Sequence, residues 1–390
     1  MIKEVSATDF FNMEEMLSDE EILTRDAVRE WVDRRFMPVI AEHNRNETFP
    51  TELTSELAEL GVFGANIEGY GCPGLNNVAY GLIMQELERG DSGLRSYCSV
   101  QGGLVMYPIL AFGSEEQRNT YLPKLASAEM IGCFGLTEPD HGSDPSGMKT
   151  RARRVGNNWV LNGAKMWITN GSISQIAIVW ARDEDNVIRG FIVDTKSKGF
   201  SAPKMKGKFS LRASITSELI LDEVVVPDDH RLHGVEGLKG PLSCLTQARY
   251  GISWGVLGAA LACYEASLEY AKTRIQFGKP LACFQLIQVK LTEMITEITK
   301  AQLLALRLGR LKDQGNFAPA QVSMAKMNNV SMALDVARAA RDLHGANGII
   351  DEYPVIRHMM NLETVKTYEG THDIHRLIIG QAITGHSAFH

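Results

Sequence analysis

The chain contains no apolar run approaching the roughly 20 residues a membrane-spanning helix requires, no block of consecutive basic residues, and no internal repeat or low-complexity linker. The first absence excludes a transmembrane span. The second, with a net charge of −7, argues against nucleic acid or anionic lipid as the main partner and favours a small molecule. Cysteine is also sparse: the six, at positions 72, 98, 133, 244, 263 and 283, show neither CxxC pairing nor an attendant histidine cluster. A zinc centre or redox dithiol is therefore not expected, and reduced, mostly buried thiols are. The start, Met1-Ile-Lys-Glu-Val followed by Asp9, Glu14 and Glu15, lacks both an apolar signal core and an Arg-rich presequence, so the expected location is the cytoplasm. What remains is a chain of 390 residues, 44% hydrophobic and 22% charged, long enough to bury a large core without disulfide or metal.

Residues 1–129 carry helical periodicity. A Ser18-x-x-Glu21 capping box opens a helix that runs past Trp31 to a stop at Pro38. Further helices are predicted over 52–60, closed by Gly61, and over 77–89, and another from Ser114-x-x-Gln117, which Pro123 interrupts. From 130 to 236 the pattern changes to short Val-, Ile-, Trp- and Phe-rich runs separated by turn residues. Hairpins are predicted at 159–169, around Asn162-Gly163, and at 176–194, with strand continuing through Leu219, Leu221 and Val224 to Pro227. Strands without intervening helices indicate a central antiparallel sheet or small barrel. Between 237 and 390 long helical patterns return over 241–274, 286–312 and 319–343, lengths that suit a four-helix bundle. The expected fold class is α+β and multidomain, in the order helices, sheet, helical bundle.

Several constellations carry candidate chemistry. Gly69, Gly71 and Gly74 spell G-x-G-x-x-G, but Pro73 and helical patterns on both sides break the strand-turn-helix context of a dinucleotide site, and a glycine-rich connection is expected instead. His372 and His375 stand one turn apart with no third ligand nearby, which favours surface or capping histidines over a metal site. Glu369, in Thr367-Tyr368-Glu369-Gly370-Thr371, lies where one apolar helical stripe stops and the next begins. Gly370 breaks the run and Thr371 can cap the second helix. A carboxylate at such a joint suits a general base reaching into a cleft, although alone it also reads as an ordinary exposed Glu. The loop Cys133 to Asp144 crowds glycines and hydroxyls into one turn, and Trp167-Ile168-Thr169 adds an indole and a hydroxyl, together resembling two walls of a pocket for a planar ligand.

Phe134-Gly-Leu-Thr-Glu-Pro with Gly142-Ser-Asp, then Trp167-Ile-Thr, Arg274-x-Gln-Phe-Gly278 and Tyr368-Glu-Gly-Thr371, in this order and over nearly the whole chain, resemble the signature of the acyl-CoA dehydrogenase flavoproteins. Arg95-Ser96, Phe209 to Ser214, Ala248-Arg-Tyr-Gly251 and the stretch from Ile374 to Gly385 narrow the resemblance to members that act on glutaryl-CoA. The resemblance implies FAD as cofactor, an acyl-CoA substrate, an electron-transfer flavoprotein as acceptor and a homotetramer. It implies Glu369 as the base that takes the α-proton while a β-hydride passes to the flavin. Phe134, Leu136, Thr137, Gly142, Ser143, Trp167, Ile168, Thr169 and Thr371 would hold the flavin. Arg274, Gln276 and Phe277 would reach the FAD of a neighbouring subunit, with Asp342, Gly345 and Ala346; Ala346 stands where relatives usually carry Gly.

For the substrate the resemblance implies Glu88, Arg95, Ser96, Ser99 and Tyr368 around a distal carboxylate, Gly370 at the reacting end, and Ser143, Arg249 and Tyr250 toward the CoA portion. It also implies decarboxylation of a glutaconyl intermediate to crotonyl-CoA and CO2. Gly102-Gly103 departs from the serines relatives tend to carry there. On the residues alone, Arg95 also reads as a helix-end partner of Glu88, and Arg249 as a bundle salt bridge. The alternatives are a dehydrogenase of another short-chain, branched or dicarboxylic acyl-CoA, a non-decarboxylating glutaryl-CoA dehydrogenase, an acyl-CoA oxidase, or a non-enzymatic flavoprotein.

Overall fold

The computed structural model describes residues 5–389. Helices α1 (Asp19–Trp31), α2 (Met37–Asn46), α3 (Thr54–Glu59), α4 (Asn77–Gly90), α5 (Ser92–Ser99), α6 (Tyr107–Phe112) and α7 (Glu115–Ala126) form the N-terminal part. The Ser18 hydroxyl accepts from the Glu21 N–H while the Glu21 carboxylate accepts from the Ser18 N–H, and Ser114 and Gln117 repeat the arrangement on α7. Pro123 does not interrupt α7, which continues through it to Ala126. Wider π turns, Val32–Phe36 and Val100–Met106, join α1 to α2 and α5 to α6 into two long helices. Gly69, Gly71 and Gly74 all have positive φ, and the first two belong to a tight hairpin of β1 (Glu68–Gly69) and β2 (Cys72–Pro73), as a glycine-rich connection requires.

The sheet contains β3 (Gly132–Gly135), β4 (Arg151–Val155), β5 (Asn158–Thr169), β6 (Ile176–Arg182), β7 (Ile188–Asp194), β8 (Phe200–Ser201) and β9 (Thr216–Pro227). It is mixed rather than purely antiparallel. β3 pairs β6 in parallel, because the chain passes through the β4–β5 hairpin before returning beside β3, and Arg151 of β4 bridges Arg182 of β6 in parallel as well. β6–β7, β4–β5 and β5–β9 are antiparallel. The expected turn at Asn162-Gly163 is instead a bulge inside the 12-residue β5, where a Cβ on Gly163 would stand 2.5 Å from the Thr150 hydroxyl; the true turn is Gly156-Asn157. β6 is buried on both faces: Ile176, Ile178 and Trp180 pack toward the helices while Ala177, Val179 and Ala181 pack inside the sheet.

The C-terminal bundle is built from α8 (Lys239–Thr273), α9 (Gln285–Asp313) and α10 (Pro319–Leu343), with α11 (Val355–Thr367) and α12 (His372–Thr384) together as the fourth member; a small hairpin, β10 (Ile275–Gln276) and β11 (Lys279–Pro280), links α8 to α9. Small residues set the α4–α8 distance. A Cβ on Gly258 would lie 1.8 Å from the Gln85 carbonyl oxygen, and one on Gly81 would lie 2.4 Å from the Trp254 ring. This approach brings Glu88 on α4 and Arg95 on α5 against α8. The six cysteines are free thiols, four of them buried.

Candidate active site

α11 ends at Thr367, and Tyr368 leaves it with extended backbone (φ −79°, ψ 165°). Glu369 then turns left-handed at φ 54°, Gly370 at φ 96°, and the Thr371 hydroxyl caps α12 by accepting from the Ile374 N–H at 3.3 Å. A left-handed non-glycine residue costs roughly 1–2 kcal/mol, so neighbouring contacts hold the turn. Lys326 on α10 donates its ammonium to the Tyr368 carbonyl at 3.0 Å and the Gly370 carbonyl at 2.9 Å, and Arg249 on α8 donates Nε to the Glu369 carbonyl at 2.7 Å. Three consecutive carbonyls thus face two buried cations. Gly370 is needed here, since a Cβ would stand 3.2 Å from both Arg249 Nη2 and the His375 ring. Glu369 Oε2 is enclosed and has no hydrogen-bond partner among the described residues. Burial pushes the Glu369 carboxyl above the usual carboxylate range, with Arg95, Lys326 and Arg249 pulling against that rise.

A second cluster adjoins the first through Tyr368. Arg95, 1% exposed, donates Nε to Glu88 Oε2 at 2.6 Å and Nη2 to the Tyr368 hydroxyl, which also lies 3.3 Å from Ser96 Oγ. The guanidinium carbon sits 5.6 Å from the centre of the Tyr368 ring. Ser99, one turn beyond Ser96, is buried as well. Gly255 on α8 makes room for this pair: its Cβ would lie 2.2 Å from Glu88 Oε2 and 3.2 Å from Arg95 Nε. Among the described residues the Arg95 hydrogen bonds come from Nε and Nη2, which leaves the Nη1 arm of its fork for a carboxylate placed beside it.

A third region fits the flavin. Phe134 and Leu136 are buried at and just beyond the end of β3, and the Thr137 carbonyl accepts from the Met166 N–H at 2.8 Å, tying that loop to the strand that ends in Trp167-Ile168-Thr169. Trp167 is held left-handed at φ 64° and is 58% exposed, an apolar side chain costly to leave open unless a planar ring covers it. Lys165, fully buried, donates to the Leu136 carbonyl at 3.2 Å and to Glu138 at 2.8 Å. Burial opposes ionisation of both, yet Lys165 holds Glu138 down to about 2. The residues present therefore fit FAD: the exposed Trp167 indole, the hydroxyls of Thr137 and Thr169, and a loop tied to the strand behind them.

Arg274, Gln276, Gly345 and Ala346 come together around a cavity of about 260 Å³ that His344 and Tyr270 also line, stacked ring to ring at 4.4 Å. Phe277 is 94% exposed at the tip of the β10–β11 hairpin, and Asp342 pairs with Lys290; neither lines that cavity. Gly142 and Ser143 lie exposed in the loop after β3, and Ile168 is buried in the sheet. Tyr250 is buried against Tyr80, and its hydroxyl donates to the Asn77 carbonyl at 2.7 Å. Arg249 packs behind Glu369 rather than in a bundle salt bridge.

The histidines need correction. His372 and His375 are buried rather than on the surface, and burial holds them down to about 4 and about 3, because α12 packs that face on α10. Sequence reasoning missed Lys326, Gly255 and the Lys165–Glu138 pair. For Lys326 a signal existed: it shares the α10 face of Val322, Asn329, Val330 and Ala333, all buried, so a cation falls on an apolar stripe.

Models of the acyl-CoA dehydrogenase N-terminal, middle and C-terminal domains match residues 18–129, 133–224 and 236–384. A probable acyl-CoA dehydrogenase, YngJ, of Bacillus subtilis (strain 168) is 35% identical over 376 residues, covering 94% of this chain and 98% of the relative. A crystal structure of glutaryl-CoA dehydrogenase from Mycobacterium smegmatis superposes with a TM-score of 0.97 at 55% identity, covering 99% of this chain and 100% of that one. A second glutaryl-CoA dehydrogenase structure from that organism, in complex with FADH2, gives 0.97 at 50% identity over the same shares. With the helix, sheet, helix order in place, the chain belongs to the acyl-CoA dehydrogenase family and is an FAD-dependent acyl-CoA dehydrogenase.

Proposed function

We propose that the substrate is glutaryl-CoA and that the product is crotonyl-CoA with CO2. The observation that carries this reading is the buried Arg95–Glu88–Tyr368 cluster, joined by one peptide bond to Glu369. A monocarboxylic acyl chain gains nothing from a buried guanidinium, whereas a distal carboxylate repays its desolvation. The glutaryl-CoA dehydrogenases among the similar structures support the same substrate.

Glu369, poorly solvated and above its usual range, takes the α-proton of the thioester. The developing enolate oxygen needs donors in place beforehand, and the Glu369 backbone N–H, fixed by the clamped turn, is one. FAD, when bound, supplies the two-electron acceptor for the β-hydride. Arg95 holds the distal carboxylate until the carbon–carbon bond to it breaks; that electron pair enters the conjugated thioester, and protonated Glu369 returns a proton to the chain. Thr137, Ser143, Trp167 and Thr169 would hold the flavin ring, and Arg274, Gln276, Gly345 and Ala346 would reach the diphosphate and adenine of a neighbouring subunit's FAD. Electrons leave to an electron-transfer flavoprotein, and the chain assembles as a homotetramer located in the cytoplasm. The exposed Ile275, Phe277, Leu286 and Val289 near the Arg274 cavity are the apolar surface that supports assembly.

The test is anaerobic addition of glutaryl-CoA to the purified yellow protein, with flavin bleaching followed by absorbance and the acyl product weighed by mass spectrometry. Bleaching with a crotonyl-CoA mass is expected. A glutaconyl-CoA mass removes the decarboxylation, and bleaching by butyryl-CoA but not glutaryl-CoA removes the substrate.

A further inference from the structure

We propose that Lys326 is a positioning residue for catalysis: its side-chain nitrogen, bonded to the carbonyls on either side of Glu369, sets the left-handed turn that aims the Glu369 carboxylate and N–H at the substrate. This rests on the reading of Glu369 as the base.

Lys326 reaches from α10, is 0% exposed and makes no ion pair with a carboxylate among the described residues. A fully buried lysine is expensive, and here its hydrogen bonds go to the Tyr368 and Gly370 carbonyls at 3.0 and 2.9 Å, bracketing one residue. Arg249 takes the carbonyl between them from the opposite side, at 2.7 Å. With all three oxygens turned toward cations, the peptide planes of the turn lose their rotational freedom, and the directions of the Glu369 N–H and side chain are settled. A structural tie between two helices would need only one of these bonds.

The groups facing Lys326 are Glu369 on the turn, Arg95 on α5, Arg249 on α8, and His372 and His375 on α12. Burial drives the ammonium down to about 7, with the Glu369 carboxylate opposing the fall. The same coupling acts in reverse, since Lys326 is among the charges that restrain the rise at Glu369. Removing it therefore moves Glu369 further up.

The experiment compares Lys326→Met, which has no donor, with Lys326→Gln, which keeps an amide donor without charge, and with Glu369→Gln. Three quantities are read on the FAD-loaded protein: the rate of flavin reduction by saturating acyl-CoA, its pH profile, and by calorimetry the affinity for the product thioester relative to a thioether analogue lacking the carbonyl oxygen. Lys326→Met is expected to slow reduction about 10²-fold, the loss that accompanies a misplacement near 1 Å. It should also move the acid limb to higher pH and erase the preference for thioester over thioether. Lys326→Gln should keep part of the thioester preference and still move the limb upward. Should Lys326→Met not fold, Lys326→Gln decides alone, because a limb and a thioester preference both at wild-type values overturn the proposal. Lys326 variants at wild-type values beside an inactive Glu369→Gln overturn it while leaving Glu369 as base. A Glu369→Gln variant that still bleaches overturns the underlying reading.

Discussion

Replacing Arg95 by Met tests the distal pocket and its energetics together. Arg95 and Glu88 are 1% and 0% exposed and meet at 2.6 Å, and Glu88 Oε1 is already without a partner. Removing the guanidinium leaves a lone carboxylate in an apolar enclosure, a change that costs about 3–5 kcal/mol. At an unfolding entropy of about 2.1 cal/mol/K per residue, a chain of 390 residues loses about 4–6 °C from its melting midpoint. Adding Glu88→Gln removes the stranded charge, so the double variant should recover much of that loss, with a coupling of about 2–3 kcal/mol. In anaerobic stopped-flow, kcat/KM for glutaryl-CoA should fall about 10²- to 10³-fold, the cost of truncating one side of a buried charge pair. The value for butyryl-CoA should change by less than about 10-fold. Equal losses for the two substrates, or strictly additive stability losses in the double variant, would show that Arg95 neither reads the carboxylate nor depends on Glu88.

Gly255→Ala places a Cβ 2.2 Å from Glu88 Oε2, so it should lower the glutaryl-to-butyryl ratio of kcat/KM at least about 10-fold with a smaller change for butyryl-CoA; an unchanged ratio refutes a role in selectivity. Because burial raises the Glu369 carboxyl and its ionised form is the proposed base, flavin reduction should rise with pH along an acid limb above the ordinary carboxylate range of about 4.3. A limb at or below that range in single-turnover measurements contradicts the burial argument. His358, His372 and His375 are buried, and burial holds all three below 6.5, at about 4 for His372 and about 3 for His375. The unfolded chain gains their protons first, so stability should fall as pH drops below about 6.5, by up to about 1.4 kcal/mol per pH unit for each. Equal urea midpoints at pH 7 and pH 5 rule this out.

Much of this architecture is legible in the sequence because it is local. Both capping boxes, the Thr371 cap and the Ile176–Arg182 hairpin strand depend on residues within a few positions of one another. Expectation and structure part where distant segments decide. Asn162-Gly163 has turn chemistry, yet pairing with β9 keeps it inside a strand, and the glycine is required by Thr150 instead. The β3–β6 parallel pairing joins strands separated by a hairpin, which no window of sequence contains. From the sequence His372 and His375 read as surface or capping residues, because α12 alone does not show which face α10 covers. At the site, Glu369, Arg95 and Glu88 could be named from motifs. The partners that fix them, Lys326 and Gly255, come from helices 43 and about 160 residues away in the chain and carry no motif of their own.

Tyr368 has its hydroxyl in the Arg95–Ser96 cluster and its carbonyl on Lys326, and the next residue is Glu369. On the proposed reading the cleft is a ruler whose two marks are cut into one dipeptide. An acyl chain one methylene too long or too short cannot be met by sliding either mark, because moving the carboxylate end drags the base with it. If glutaryl-CoA is the substrate, chain length would then be read at the chemical step, and a mismatched acyl-CoA would occupy the cleft but turn over slowly.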